Sequence, residues 1–167
     1  MSETPDRMVI VNISPLVYLH RIGCVDVLRK LYGQIVVPTA VREELLEGRG
    51  LGADVPDLSV LTWVEVRSLS SSALLPAVTD LGQGEAEVIG LARETPESLV
   101  IMDDRLGRKI AEICGLTVTG TVGVLLKAKQ EGYVPAVAPV LRTLQQAGLW
   151  LGEELIRLIL ARAGEEI

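Results

Sequence analysis

The sequence predicts an α/β fold, a three-layer sandwich with a central and mostly parallel sheet. Three observations carry that prediction. Short apolar runs such as Met8 to Val11, Gln34 to Val37 and Leu99 to Met102 read as buried strands. Longer amphipathic segments, several stopped by a glycine, separate them. Strands that alternate with helices favour parallel pairing under helical cover on both faces.

The elements follow in order. Met8 to Val11 opens the sheet. Ser14 and Pro15 offer a capping hydroxyl and a proline at the first helical position, and that helix ends at Gly23. Val25 to Leu31 is a second short helix, closed by Gly33. The β-branched run Gln34 to Val37 is a strand, and Pro38 opens a helix through Glu47 that Gly48 ends. Residues 48–61 read as a loop, Leu61 to Val66 as a strand, and the serine-rich stretch after it as a surface connection. Gly84 to Arg93 is helical and Leu99 to Met102 a strand. Leu106 to Cys114 is a helix with Ile110 and Ile113 inward, stopped by Gly115. Leu116 to Thr119 is the last strand. Helices over Thr121 to Gln130, Pro135 to Ala147 and Glu153 to Ala163 finish the chain. The expected organisation is one domain over 1–167, with an α/β core at 8–133 and closing helices at 134–167.

Composition narrows the function. With 167 residues, 49% hydrophobic, the chain can bury a real core. No apolar run reaches the ~18 residues a bilayer span needs. The opening M-S-E-T-P-D-R is polar and acidic, unlike a signal peptide, so a cytoplasmic protein is expected. Cys24 and Cys114 show no CxxC spacing and read as buried reduced thiols. Aromatics are only 3%, too few for a broad base-stacking platform. A net charge of −6 argues against holding nucleic acid by phosphate contacts alone. It argues less against a metal nuclease, where a bound cation reverses the local field.

Acidic side chains recur where predicted strands end and helices begin. Glu44 lies in V-P-T-A-V-R-E-E-L, Glu85 in L-G-Q-G-E-A-E-V-I, and Asp103 and Asp104 in L-V-I-M-D-D-R-L-G-R-K. Asn12 follows the first strand in the same way. In an open α/β sheet these positions meet in one crevice at the carboxyl ends of the strands. Gathered carboxylates repel one another and call for a cation or shared protons. Oxygen ligands of this kind suit Mg²⁺ or Mn²⁺. Blander roles stand beside the metal reading: Asp104 as a helix cap, Glu85 as partner of a helix dipole, Glu43 and Glu44 as solvated helix acids. Asn12 can serve as a turn residue and Ser14 as a cap. Arg105, Arg108 and Lys109 share a helix face that would set positive charge beside the acids. Thr121 either touches the metal site or caps its helix. His20 is alone and reads as structural, which leaves no histidine-based hydrolase.

Taken together, these phrases resemble the PIN domain, a family of Mg²⁺- or Mn²⁺-dependent ribonucleases. The likeness is nearest to a bacterial and archaeal subgroup with an N/D-x-S-P-L opening, here Asn12 to Leu16. It continues through the Glu44 and Glu85 phrases and Asp103-Asp104 to V-T-G-T-V-G-V-L-L-K-A-K. The resemblance implies catalytic roles for Asn12, Glu44, Glu85, Asp103 and Asp104, the four acids among them holding the metal. Ser14, Arg105, Arg108, Lys109 and Thr121 would then contact an RNA substrate. It further implies a toxin silenced by a small antitoxin protein, and a homodimer. Asn12 departs from the family's first acid and keeps a rival open: a degenerate PIN-like module that binds RNA or protein without cleavage. A phosphoacceptor receiver domain fits less well, because that family places an acidic pair after its first strand. The terminal stripe Leu149, Leu151, Leu155, Ile156, Ile159 and Leu160, with Trp150 nearby, either packs on the core or forms a docking face.

Overall fold

The computed structural model describes residues 7–165; the polar opening 1–6 and residues 166–167 lie outside the described residues. Strands β1 (Val9–Val11), β2 (Ile35–Pro38), β3 (Val64–Arg67), β4 (Leu99–Ile101) and β5 (Thr117–Thr119) form one sheet in the order β3-β2-β1-β4-β5. Every pairing is parallel, with Val9 opposite Leu99, Ile10 opposite Val36 and Ile101 opposite Thr119. The helices are α1 (Ile13–Arg21), α2 (Asp26–Tyr32), α3 (Thr39–Gly50), α4 (Gln83–Glu94), α5 (Arg105–Ile113), α6 (Thr121–Gln130), α7 (Ala138–Gln146) and α8 (Glu153–Arg162).

The strand order explains the layers. From β1 through β2 to β3 the chain steps one way across the sheet, and from β4 to β5 the other. Right-handed crossovers then put the two sets of connecting helices on opposite faces. Helix α4 packs on β1, β2 and β4 and meets α3 and α5, while α6 packs against α1, α2, β5 and α8. Central strands β1, β2 and β4 are buried throughout, and the edge strands β3 and β5 are only partly covered. Ile10, Leu16, Leu28, Ile35, Ile89, Ile101 and Leu125 are fully buried, each worth about 1.5–3 kcal/mol of transfer free energy. The apolar runs thus become central strands because only there do both of their faces find helices. The reversal between β1 and β4 opens the carboxyl-end crevice, where Asn12 leaves β1 and Met102 leaves β4.

Several sequence expectations are corrected. Asn12, not Ser14, occupies the N-cap position of α1, and Ser14 lies inside the first turn. The backbone is still extended at Asn12 and already helical at Ile13, so the turn starts before the serine. Helix α3 runs through Gly48 to Gly50 and stops only beyond Leu51, where Gly52 takes a φ of +86°. Gly48 lets the returning chain come close: a Cβ there would touch Ala53 and Val55, and Ala53 N donates to the Gly48 carbonyl at 2.8 Å. Ile113 is 73% exposed, because α5 buries the Gly107 and Ala111 side instead. Helix α7 starts at Ala138, later than Pro135, with Glu165 accepting from Val137 N and Ala138 N at its entrance. Cys24 and Cys114 are free but only half-buried; burial pushes the Cys24 thiol up, against the pull of Lys30. In the terminal stripe, Leu151, Ile159 and Leu160 are buried and Leu149 and Ile156 pack on the core. Trp150, Leu155 and Leu158 stay exposed. No helix among the described residues is long and apolar enough to cross a membrane.

Candidate active site

Asn12 ends β1 and is 1% exposed. Its Nδ2 points to Glu85 Oε2 at 3.4 Å, a long hydrogen bond between an amide that can donate and a carboxylate that only accepts. That pairing turns the carbonyl oxygen of Asn12 the other way, where it is buried without a hydrogen-bond partner. Buried polar atoms are seldom left so, since each unmet one costs about 1–3 kcal/mol. What the oxygen faces is the start of α4. A Cβ on Gly84 would lie 3.4 Å from it and 2.8 Å from Glu44 Oε1. Glycine at 84 therefore leaves room for Asn12 and Glu44 to converge beside the first turn of α4.

Glu44 reaches this point from α3, whose Val41 and Leu45 anchor that helix in the core. Burial raises the Glu44 carboxyl above the ordinary carboxylate value, and the neighbouring negative charges of Glu85 and Glu47 push it the same way. Glu85 stands in the first turn of α4. Its carboxylate also lies 2.9 Å from where a Cβ of Gly82 would be. Like charges in mutual range with no counter-ion between them are what a cation site requires.

The second half of the crevice comes from β4, β5 and α5. Asp103 follows β4 and spans to the last crossover: Oδ1 accepts from Thr121 N at 2.8 Å and Oδ2 from Thr121 Oγ1 at 2.6 Å. Thr121 is fully buried, so this pairing fixes the carboxylate at the positive end of α6. Thr121 thus holds Asp103 rather than capping its own helix. Arg108 bends back from α5, and its Nη1 lies 3.5 Å from the Met102 carbonyl. A Cβ on Gly120 would come within 2.6 Å of Arg108 Nη1 and 2.8 Å of Asp103 Oδ1, so only glycine lets the two approach here. Asp104 is the cap of α5, its Oδ2 accepting from Gly107 N at 2.7 Å. Gly107 joins the halves, since a Cβ there would meet Met102 Sδ, Asp104 Oδ2 and Glu85 Cγ.

Of the residues singled out in the sequence, Asn12, Glu44 and Glu85 come together, and Asp103, Thr121 and Arg108 form a second cluster. Asp104 lies between them, exposed and engaged as a cap. Arg105 and Lys109 stand exposed on α5 and make no ion pair or hydrogen bond to the acids among the described residues. Ser14 likewise makes no side-chain hydrogen bond to them. His20 is not without a partner: it meets Asp54 Oδ1 at 2.9 Å and ties α1 to the loop after α3. Among the described residues no three acids, histidines or cysteines stand close enough to enclose an ion. The donor set still fits a hard divalent cation: mutually repelling carboxylates, and a buried carbonyl oxygen with nothing to accept. Sequence reasoning missed the glycines at 84, 107 and 120. The signal was a glycine next to, or within three residues of, each acid or its partner.

Comparison with known proteins agrees with this architecture. A family model describing the PIN domain matches residues 8–165, and the chain belongs to that family. PIN domains generally are nucleases. Among solved structures, the fold is similar to a PilT N-terminus domain protein from the hyperthermophilic archaeon Sulfolobus solfataricus P2. The TM-score is 0.56 at 23% identity, covering 72% of this chain and 93% of that one. Among curated proteins none matches the chain.

Proposed function

We propose that the chain is a divalent-metal-dependent endoribonuclease that hydrolyses RNA phosphodiester bonds in the carboxyl-end crevice. The observation that carries the reading is the buried, unpartnered oxygen of Asn12 facing the spot where Glu44 and Glu85 converge. Glu44, Glu85 and Asp103 would hold Mg²⁺ or Mn²⁺, with Asn12 assisting and Asp104 at the margin. When bound, the ion supplies activation of water for in-line attack and charge compensation at the phosphate. The chain's own residues do the rest. Thr121 keeps the Asp103 carboxylate from swinging away. Arg108 presents a guanidinium at the rim, suited to a phosphate oxygen. Arg105 and Lys109, further out on α5, add positive field along the path of an RNA strand, and Ser14 borders it from α1.

The finer role follows the resemblance alone: a cytoplasmic toxin within one domain, held silent by a small antitoxin protein and working as a homodimer. The exposed Trp150, Leu155 and Leu158 would offer apolar contact to such a partner. A second reading, an RNA- or protein-binding module without cleavage, draws on Asn12 and on the two separate acid clusters. One experiment divides them. Metal-free protein titrated with Mn²⁺ should melt at a higher temperature and begin to cleave single-stranded RNA. A rise in melting temperature without cleavage would favour the binding module. No response in either measurement would end the metal proposal.

A further inference from the structure

Where the strands begin, at the end opposite the acid crevice, a cavity of about 480 Å³ opens. Its size falls in the range of small-molecule sites, roughly 300–1,000 Å³. Its walls include Arg7, Tyr32, Gln34, Arg67, Thr95 and Lys127. The one acid lining it, Glu65, is already engaged by Arg67 through Nε at 2.8 Å and Nη2 at 2.7 Å. Two cations are then left over. Lys127 Nζ sits 4.9 Å from the centre of the Tyr32 ring, a contact that orients its charge without neutralising it. Arg7 donates Nε to the Glu97 carbonyl at 3.1 Å and has no carboxylate partner among the described residues. Arg7 is also close enough to Tyr32 to oppose the upward push of burial on that hydroxyl. Two uncompensated cations converge on a half-buried phenol in a chain of net charge −6.

Such a surplus of positive charge inside a concave site is an anion receptor in its chemistry. We propose that this cavity binds a phosphorylated small molecule of mononucleotide size, its phosphate held between Arg7 and Lys127 with the Tyr32 hydroxyl as a further donor. A phosphate monoester supplies the multiple acceptor oxygens that a guanidinium, an ammonium and a phenol can share. The remaining volume, bounded by Gln34 and Thr95, accommodates the organic part. This site does not depend on the ribonuclease reading, and either can fail without the other.

The test is calorimetric titration of the full chain with AMP, inorganic phosphate and adenosine, at constant ionic strength and with a chelator present. The expected result is binding of AMP and of phosphate, and none of adenosine. Lys127→Gln and Arg7→Gln, both at exposed positions, should each weaken AMP about tenfold, as the loss of a charge-assisted hydrogen bond implies. Arg108→Gln, in the crevice, should leave AMP binding as it was. Phosphate binding as tightly as AMP would keep the site and assign recognition to the phosphate alone. Three results would overturn the proposal: no heat from either phosphate compound, adenosine binding as well as AMP, or loss of binding in Arg108→Gln while Lys127→Gln and Arg7→Gln bind normally.

Discussion

The carboxyl edge of the sheet and the seam under the C-terminal helices both carry glutamates, and the two regions treat them in opposite ways. At the seam, the Glu165 side chain is 13% exposed and meets Lys129 Nζ at 2.8 Å, Val137 N at 2.6 Å and Ala138 N at 3.0 Å. Those donors, the Lys129 hydrogen bond first, lower its carboxyl to about 2. At the crevice, Glu44 has a raised carboxyl, set by burial and by the charges of Glu85 and Glu47. One acid is surrounded by donors and the other by acceptors. The difference separates an acid that fastens the fold from one held ready for something to bind.

The sharpest way to break that contrast is to neutralise the crevice. Asp103→Asn can still hydrogen-bond Thr121, so it should melt near the wild type. It should nevertheless lose Mn²⁺-dependent RNA cleavage by more than about a hundredfold, beyond what loss of a supporting residue costs. Wild-type cleavage rates in that variant would remove Asp103 from the site. Next in size is Glu165→Ala, which strands Lys129 and the two backbone donors at the start of α7. A clear fall in melting temperature at neutral pH is expected, with Mn²⁺ response unchanged.

The pH dependence sharpens the same point. The stabilisation from Glu165 is complete above its ordinary value of 4.5 and lost as pH falls through about 2. Thermal melts across that window should therefore slope less steeply in Glu165→Gln than in the wild type. Glu44 has the opposite sign, since its raised value makes the ionised form a burden that eases as pH falls.

Smaller again, Asn12→Asp would put a charge where the unpartnered oxygen sits. Metal-free protein should lose about 1–3 kcal/mol, the scale of one unmet buried group, while the gain on adding Mn²⁺ should increase. An Asp variant as stable as wild type without metal would mean the oxygen already has a partner in solution. The smallest effect belongs to Glu44→Gln. Relieving the repulsion should raise the metal-free melting temperature by about 1–2 °C, the scale of a surface substitution, and reduce the Mn²⁺-induced rise.

Much of this arrangement is legible in the sequence, for a physical reason. Strands buried on both faces are continuous apolar runs, so β1, β2 and β4 stand out, and Gly33, Gly115 and Gly132 mark real helix ends with positive φ. Gly48 misleads because the same residue type serves close packing as well as termination. Ile113 misleads because α5 buries its small residues, Gly107 and Ala111, against its neighbours, which reverses the apolar side that a hydropathy pattern selects. At the site, sequence position brings Glu44, Glu85 and Asp103 to the correct edge. It says nothing of partners supplied by later crossovers. Thr121 reaches Asp103 only because β5 lies beside β4, and Arg108 reaches it only because position 120 lacks a side chain.

The central place of β1 has a consequence for how the molecule comes into being. The strand is among the first segments to leave the ribosome, yet its neighbour β4 follows about ninety residues later, a separation that slows native pairing. Asp103 and Thr121 emerge later still than most of the chain. On the proposed activity, a nascent polypeptide has no complete cutting site while it is still attached to the message and machinery that it could damage. Competence arrives only with release, when the last third folds back onto a strand made at the beginning.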